Sequence, residues 1–258
     1  MDYEQYYSDA QTYFKVLKEK TTAQSKNITK IRNSLSDGDI NALPKLFAIL
    51  RGAAQEREEA LCQLEELTAN FDCKEYMSSG DFSEQMIECC NQMGVDVKGT
   101  FPSYEMFPWS VTIYPEAQEI AVDRKRMPCL RPSKLVGKVK AELDKLNNVT
   151  FNTSLFAKEL SVAYDLAIIK TSKKKHCADN APMYAIDLYE FLTPMKRYKK
   201  EYTKQSYAYD LARLYAEGII TMDDGRELRF DTARNTKKAI RILDRFGSEQ
   251  FITTVRFS

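Results

Sequence analysis

Residues 3–71 read YEQYYSDAQTYFKVLKEKTTAQSKNITKIRNSLSDGDINALPKLFAILRGAAQEREEALCQLEELTANF and carry apolar side chains at heptad spacing in two runs. The turn-forming tetrapeptide Ser-Asp-Gly-Asp at positions 36–39 separates the two runs. Apolar residues that repeat every three to four positions are typical of α-helices that pack along one another. The sequence therefore predicts a long antiparallel helical hairpin over residues 1–72.

Each predicted helix carries its apolar residues in two columns. In the first helix the columns are Tyr7, Phe14, Thr21, Ile28 and Leu35, and Tyr3, Ala10, Leu17, Gln24 and Ile31. In the second helix they are Leu43, Leu50, Arg57, Leu64 and Phe71, and Leu46, Ala53, Ala60 and Leu67. Folding the chain back about Gly38 brings the polar interruptions at Thr21 and Gln24 opposite residues 52–57. Because the polar breaks would meet across the seam, they support this pairing.

The length of the hairpin predicts a role in binding a partner. Each arm of roughly 30 residues would be about 45 Å long, which exceeds what a compact domain of this size needs. We expect a larger protein, encoded by a neighbouring gene, to contact this element. The candidate partner-binding residues are Tyr7, Phe14, Leu50 and Leu64.

Composition places the chain among ordinary soluble proteins. Its 258 residues are 43% hydrophobic and 29% charged, enough to bury one or two cores. The cysteines show no CxxC spacing, so they predict reduced thiols rather than a metal site or a disulfide framework. No apolar run approaches the ~18 residues that cross a bilayer, and no basic and apolar leader opens the chain. We therefore expect a cytoplasmic protein without membrane contact, metal or cofactor.

The remaining sequence mixes helices with short strands, so the fold class is predicted to be α+β and predominantly helical. A central α+β body is expected over 73–183, with a β-hairpin at 109–123 in which Val111 and Ile113 alternate with polar residues. A C-terminal module over 184–258 is expected to combine a basic helix with a small antiparallel sheet.

Charge is distributed unevenly along the chain. Residues 1–100 hold 11 Lys and Arg against 17 Asp and Glu, net −6, whereas residues 196–258 hold 14 against 9, net +5. A predicted helix at 195–217 would align lysines in one stripe, as in a helix that contacts nucleic acid phosphates. The candidate nucleic-acid-binding residues are Lys196, Arg197, Lys200, Lys204, Arg234, Lys237 and Lys238. The alternative is a solvated basic face or one that meets an acidic protein.

The order of elements over residues 184–258, a basic helix followed by a hairpin rich in arginine and lysine, resembles that of a winged-helix domain. This resemblance implies contact between the basic helix and DNA.

Motifs for catalysis are sparse. The one histidine, His176, lies in the lysine-rich segment 173–177, where no orienting partner is evident, and the glycines form no nucleotide-binding loop. Glu116, Asp123 and Lys125 resemble the acidic residue and (D/E)xK motif of metal-dependent nucleases, in which carboxylates hold Mg²⁺. We expect Asp123 and Lys125 on the same polar face of a strand. The alternative, an ordinary exposed and charged strand, is favoured because one-sided sheets commonly have such a face.

Two functional hypotheses follow. The first is a non-catalytic accessory or scaffolding subunit that docks through the hairpin and touches DNA through the C-terminal region. Its architecture resembles accessory subunits of bacterial genome-maintenance or anti-phage assemblies, including those built around SMC-type ATPases. The second is a small metal-dependent nuclease, which would require a further carboxylate near Asp123.

Overall fold

The computed structural model describes residues 2–128, 130–172, 180–232 and 238–258. The fold is α+β and predominantly helical, as predicted. Its elements, in chain order, are α1 (Tyr3–Asp37), α2 (Leu43–Ala69), α3 (Cys73–Ser78), α4 (Asp81–Met93), β1 (Lys98–Thr100), β2 (Ser103–Met106), β3 (Trp109–Tyr114), β4 (Glu119–Val122), β5 (Lys125–Met127), α5 (Pro132–Asn148), α6 (Thr153–Ser172), β6 (Met183–Tyr184), α7 (Ala185–Leu192), α8 (Tyr198–Glu201), α9 (Lys204–Ala216), β7 (Ile220–Thr221), β8 (Glu227–Thr232), β9 (Ile240–Leu243) and β10 (Glu249–Phe257).

The chain forms two compact units, each made of two separate stretches of sequence. The hairpin unit comprises Met1–Gly94 and Thr112–Gly137, and the C-terminal unit comprises Val95–Val111 and Lys138–Ser258. The chain passes from one unit to the other between Gly94 and Val95, within β3 and within α5. The three consecutive segments expected from the sequence stay a prediction about which parts fold independently.

The turn of the helical hairpin is set by local chemistry. α1 ends where Gly38 adopts a left-handed conformation with φ of 76°, and the amide of Asp39 donates to the Ser34 carbonyl at 2.9 Å. The Asp39 carboxylate then accepts a hydrogen bond from the amide of Ala42 at 3.3 Å. Pro44 occupies the first turn of α2, where its missing amide hydrogen costs nothing. The predicted helical hairpin and its turn are confirmed.

The seam between α1 and α2 is polar at its middle, as the sequence predicted. The guanidinium of Arg57 donates to the side-chain oxygen of Gln24 at 3.4 Å. Asn27 is only 7% exposed, and α2 supplies small side chains at Ala53 and Ala60, which are also buried. The predicted meeting of polar breaks is therefore confirmed for Gln24.

One of the two predicted columns of α1 is wrong. Phe14, Ile28 and Leu35 are 50%, 57% and 60% exposed, so their column faces away from α2. The column one position earlier takes its place on the seam and consists of Tyr6, Tyr13, Lys20, Asn27 and Ser34. Both columns share the same seven-residue spacing, and α2 offers polar partners and small side chains to the more polar column.

The base of the hairpin is held by aromatic stacking and an ion pair. The ring of Tyr6 stacks on that of Phe71 with centroids 4.8 Å apart. Glu4 accepts hydrogen bonds from the Arg131 side chain at 2.9 Å and from the Ser133 amide at 3.1 Å. Burial raises the pKa of Glu4, but these hydrogen bonds outweigh burial and hold that pKa below its usual value.

The first sheet has the strand order β1-β2-β3-β4-β5. The predicted β-hairpin at 109–123 is present as β3 and β4, joined by the short 3-10 helix Pro115–Ala117. Val111 and Ile113 are 2% exposed or less, so the predicted inward alternation is confirmed in β3. In β4 the prediction of Ile120 and Val122 as the inward pair is wrong, because Ile120 and Ala121 are buried and Val122 is half-buried.

The C-terminal unit packs α6, α7 and α9 against the second sheet, which has the order β6-β10-β8-β7 with β9 also paired to β10. The predicted C-terminal antiparallel sheet is confirmed by the antiparallel pairing of β10 with β6, β8 and β9. Three buried tyrosines donate to backbone carbonyls: Tyr164 to Ala181, Tyr189 to Tyr202 and Tyr207 to Ala185. Burial of a phenol requires such a partner, so each bond fixes a segment against the core.

The single helix predicted at 195–217 is wrong. The chain instead forms the one-turn α8, breaks at residues 202–203 and restarts as α9. Tyr202 has an extended conformation because its carbonyl accepts from Tyr189 and its hydroxyl donates to Asp210 at 2.8 Å. Thr203 then caps α9 by accepting from the amide of Ser206 at 3.1 Å.

The corrected seam predicts the effect of substitutions in the hairpin. Ile28→Lys should change the free energy of unfolding by no more than about 0.5 kcal/mol, since the side chain is exposed. Ala60→Leu should cost about 1–3 kcal/mol because it overpacks the seam. Chemical denaturation of both variants measures the difference. An equal loss of unfolding free energy in both would contradict the corrected seam, because it would indicate that Ile28 is buried against α2.

Asp210 predicts a pH-dependent contribution to stability. Burial raises the pKa of Asp210 in the folded chain, although the Tyr202 hydroxyl and Arg213 act in the opposite direction. The unfolded chain therefore releases this proton at lower pH than the folded chain. The contribution of Asp210 to stability is fully present below about pH 4 and is lost as the pH rises through the pKa of the folded state.

Asp210→Asn should remove this loss, so the variant should gain stability relative to the wild type at pH 7 compared with pH 4. Thermal unfolding at the two pH values measures the gain, with Asp96→Asn at an exposed site as the control. A variant that tracks the wild type at both pH values would contradict the assignment.

Candidate partner-binding surface

The seam of the hairpin leaves one apolar side uncovered, which we call the outer flank. It comprises the positions directly after the seam column that contains Tyr13 in α1 and directly after the one that contains Leu46 in α2. Because α1 and α2 are antiparallel and pair through equivalent columns, these positions lie on the same side of the hairpin. The outer flank consists of Phe14, Thr21, Ile28, Leu35, Phe47, Ala54 and Leu61.

The outer flank is apolar and open. Phe47 is 44% exposed, comparable to the three large side chains of the α1 column, whereas Ala54 and Leu61 are half-buried. The segment from Phe14 to Leu35 spans about 30 Å at about 1.5 Å per residue, or six helical turns. Thr21 separates Phe14 from the other apolar side chains of the column, so the exposed apolar cluster consists of Ile28, Leu35 and Phe47. Isolated exposed apolar residues are ordinary on soluble proteins, but such a cluster is typical of a surface that binds a partner.

Charged residues border the outer flank one helical turn after its apolar members. Lys18, Arg32 and Arg51 lie there, all exposed, and no carboxylate in the described ranges is within ion-pairing distance of any of them. Glu58 and Glu65 border the part of the flank that α2 contributes farther from the turn. Arg32 and Arg51 make the border basic near the turn, whereas farther from the turn Lys18 lies level with Glu58, so the border there carries both signs.

The four predicted partner-binding residues have different surroundings. Phe14 belongs to the outer flank, whereas Leu50 and Leu64 are half-buried on the seam. The ring of Tyr7 is covered by the guanidinium of Arg131, 3.6 Å from its centroid. Sequence reasoning missed Ile28, Leu35 and Phe47 as exposed residues, although the signal was present as an apolar column assigned to the seam.

The predicted nucleic-acid-binding residues are spread over several elements. Lys196 and Arg197 precede α8, Lys200 lies in it, and Lys204 begins α9; all four are exposed. The predicted continuous stripe on one helix is therefore wrong, because the chain breaks at Tyr202.

Other residues of the basic region are engaged or fall outside the structure's description. Lys238 is 3.6 Å from the Asp187 carboxylate and lies over the ring of Tyr184 at 4.1 Å. Arg234 and Lys237 lie outside the described residues. α9 is packed along most of its length, with Tyr209 hydrogen-bonded to Asn147. These contacts do not favour α9 as the exposed recognition helix that the winged-helix resemblance implied.

The three residues of the predicted nuclease site are separated by local structure. Glu116 lies in the 3-10 turn after β3 and pairs with Lys74 at 2.7 Å. Val122 pairs with Lys125, so Asp123 and Arg124 form the turn between β4 and β5, with φ of 47° and 70°. The prediction that Asp123 and Lys125 share a strand face is wrong, because Asp123 is in the turn and Lys125 begins the next strand.

Among the described residues, no group of three or more histidine, cysteine, aspartate or glutamate side chains is arranged to hold a metal ion. His176 and Cys177 lie outside the described residues. None of the helices in the described ranges is both long enough and apolar enough to pass through a bilayer.

Comparison of the chain with protein-family models, curated proteins and solved structures finds no match. What the protein binds is therefore inferred from the chemistry of its own surfaces.

Proposed function

We propose that this chain is a non-catalytic accessory subunit that joins a larger assembly by accepting a helix of its partner on the outer flank of the hairpin. The observation that carries the proposal is the exposed apolar column of Phe14, Ile28 and Leu35, with Phe47 on the same side. A helix with an apolar heptad stripe would cover this column and complete a three-helix bundle.

The border of the outer flank supports a partner helix of defined charge. Near the turn, Arg32 and Arg51 would face acidic residues that flank the partner's apolar stripe. Electrostatic complementarity of this kind sets orientation and partner choice more than affinity. The assembly we propose is of the class expected from the sequence, a bacterial genome-maintenance or anti-phage complex.

Replacing Ile28 and Leu35 together by glutamate should abolish assembly. The double variant places two charges in the centre of the proposed interface, and we expect at least a 100-fold loss of affinity, about 2.7 kcal/mol. The measurement is co-expression with the products of neighbouring genes, followed by size-exclusion chromatography and titration of any complex.

Ile49→Glu is the matched control, because Ile49 is a 45% exposed isoleucine of the same hairpin that lies off the outer flank. Its complex should form with an affinity within about threefold of the wild type. Equal losses for control and double variant would contradict the proposal. So would a homodimer that the double variant converts to monomer, since the flank would then serve self-association.

A second candidate function, nonspecific contact with nucleic acid, is supported by the exposure of Lys196, Lys200 and Lys204. Among the described residues, none of the three has a carboxylate within ion-pairing distance, whereas the neighbouring Lys199 pairs with Glu190. Lysines that contact backbone phosphate release counterions, so this binding would be tolerant of sequence and strongly salt-dependent.

Substituting Lys196, Lys200 and Lys204 by glutamate should weaken binding to all DNA sequences alike and reduce the slope of log affinity against log salt by about three. Fluorescence anisotropy on random duplexes at several salt concentrations measures this. The same charge change at Lys26, Lys30 and Lys45 of the hairpin should leave the slope unaltered. If both triple variants behave alike, the C-terminal lysines have no specific role.

A further inference from the structure

Helix α6 is apolar on the side that faces solvent as well as on the side that faces the core. Its inward residues include Phe156, Leu160 and Tyr164, which are 6% exposed or less. A surface helix normally presents charged and polar side chains on its outer side. In α6 the outer side instead carries a stripe of four exposed apolar residues at heptad spacing: Leu155, Val162, Leu166 and Ile169. Folding of the C-terminal unit does not account for this stripe.

A groove of about 520 Å³ lies beside the stripe within the C-terminal unit. Val162 and Leu166 form one wall, and the end of α7 with α8 forms the other. The opposite wall contributes Phe191, Leu192 and Tyr198. The groove is therefore apolar over much of its length and is bounded by helices on both sides, which is the geometry that accepts an amphipathic helix.

The groove has acidic side chains that lack basic partners of their own. Glu159, at the vacant heptad position of the stripe, and Glu201 of α8 both line it. In the part of the chain that the structure describes, no lysine or arginine pairs with either of them. Asp210 also lines the groove, where it accepts from the hydroxyl of Tyr202 and lies 3.7 Å from Arg213.

On the other border of the stripe, two charged side chains of α6 form ion pairs. Lys158 pairs with Asp223 at 2.7 Å, and Asp165 pairs with Arg226 at 2.8 Å. Among the residues that line the groove, the charged side chains without a partner in the described ranges are therefore carboxylates, while Lys170 on the same side of α6 lies over the Phe191 ring at 5.1 Å. A ligand that covers the stripe and enters the groove would bring positive charge to Glu159 and Glu201.

We propose that the stripe and groove of α6 bind an amphipathic helix of a partner protein, one that carries lysine or arginine beside its apolar heptad stripe. The stripe spans 14 residues, about 21 Å or four helical turns. A second copy of this α6 is a poorer occupant, because symmetric pairing would bring the carboxylates of both copies together. The surface lies in the C-terminal unit and prefers positive charge, so the proposal does not rest on the hairpin, whose border near the turn is basic.

Two synthetic peptides of 21 residues test this proposal. Both carry the same leucine and isoleucine heptad stripe, flanked by lysine in one and by glutamate in the other. The protein is the full chain with Ile28→Glu and Leu35→Glu, so that the outer flank does not capture either peptide. Fluorescence anisotropy should give at least tenfold tighter binding of the lysine peptide.

Variants of the groove locate the binding. Val162→Lys should weaken binding of the lysine peptide at least tenfold, whereas Val149→Lys, the same change at a 63% exposed valine outside α6, should leave it within twofold. Glu159→Lys combined with Glu201→Lys should reverse the preference in favour of the glutamate peptide. Circular dichroism establishes that each variant is folded.

Several results would overturn the proposal. They are failure of both peptides to bind, equal binding of the two, and binding that Val162→Lys does not alter. A dimer of the wild-type chain that Val162→Lys converts to monomer in sedimentation would assign the stripe to a second copy. None of these outcomes bears on the outer flank, which is tested separately through Ile28 and Leu35.

Discussion

Polar contacts across the seam, of Arg57 with Gln24 and of Lys20 with Glu56, accompany the pairing of the two long helices of the hairpin, and the properties of its surface follow from that pairing. The half-buried guanidinium of Arg57 needs an acceptor, which Gln24 supplies, and the polar column of α1 that faces α2 brings Lys20 to Glu56. Asn27 of α1 and the small residues Ala53 and Ala60 of α2 are all buried along the seam. The more apolar column of α1 is then left on the outside.

This arrangement leaves exposed the apolar side chains of Phe14, Ile28 and Leu35, which the other pairing would bury. Burying Ile28 or Leu35 in the seam would contribute about 1.5–3 kcal/mol for each side chain. Polar contacts at the seam are worth less, typically about 1 kcal/mol for a hydrogen bond after exchange with water. A helical pair with a polar seam and an apolar flank is therefore better suited to being one part of a larger bundle.

The C-terminal unit shows a related feature in a different setting. Its core is fixed by phenols that donate to carbonyls, and the bond from Tyr189 to the Tyr202 backbone breaks the helix that would otherwise run through residue 202. The break separates α8 from α9, so that Glu201 and Asp210 both border the groove beside α6. The apolar stripe of α6 and these carboxylates then form a surface whose charge is opposite to the border of the outer flank near the turn. The two proposed docking surfaces therefore differ in the charge of the side chains beside their apolar stripes.

The sequence by itself determined the elements whose signals are local. Heptad spacing and the glycine turn located the hairpin, and alternation located the β-hairpin at 109–123, because main-chain geometry follows from short-range patterns. Only the tertiary structure decided which side of each helix faces its neighbour. Seven-residue spacing is identical for Phe14 and for Tyr13, so the side that faces α2 depends on what α2 offers in return. Likewise, the turn at Asp123 and the break at Tyr202 depend on strand pairing and on a distant tyrosine, which no local pattern encodes. The candidate surfaces were therefore visible in the sequence as apolar columns, but their exposure was settled by packing.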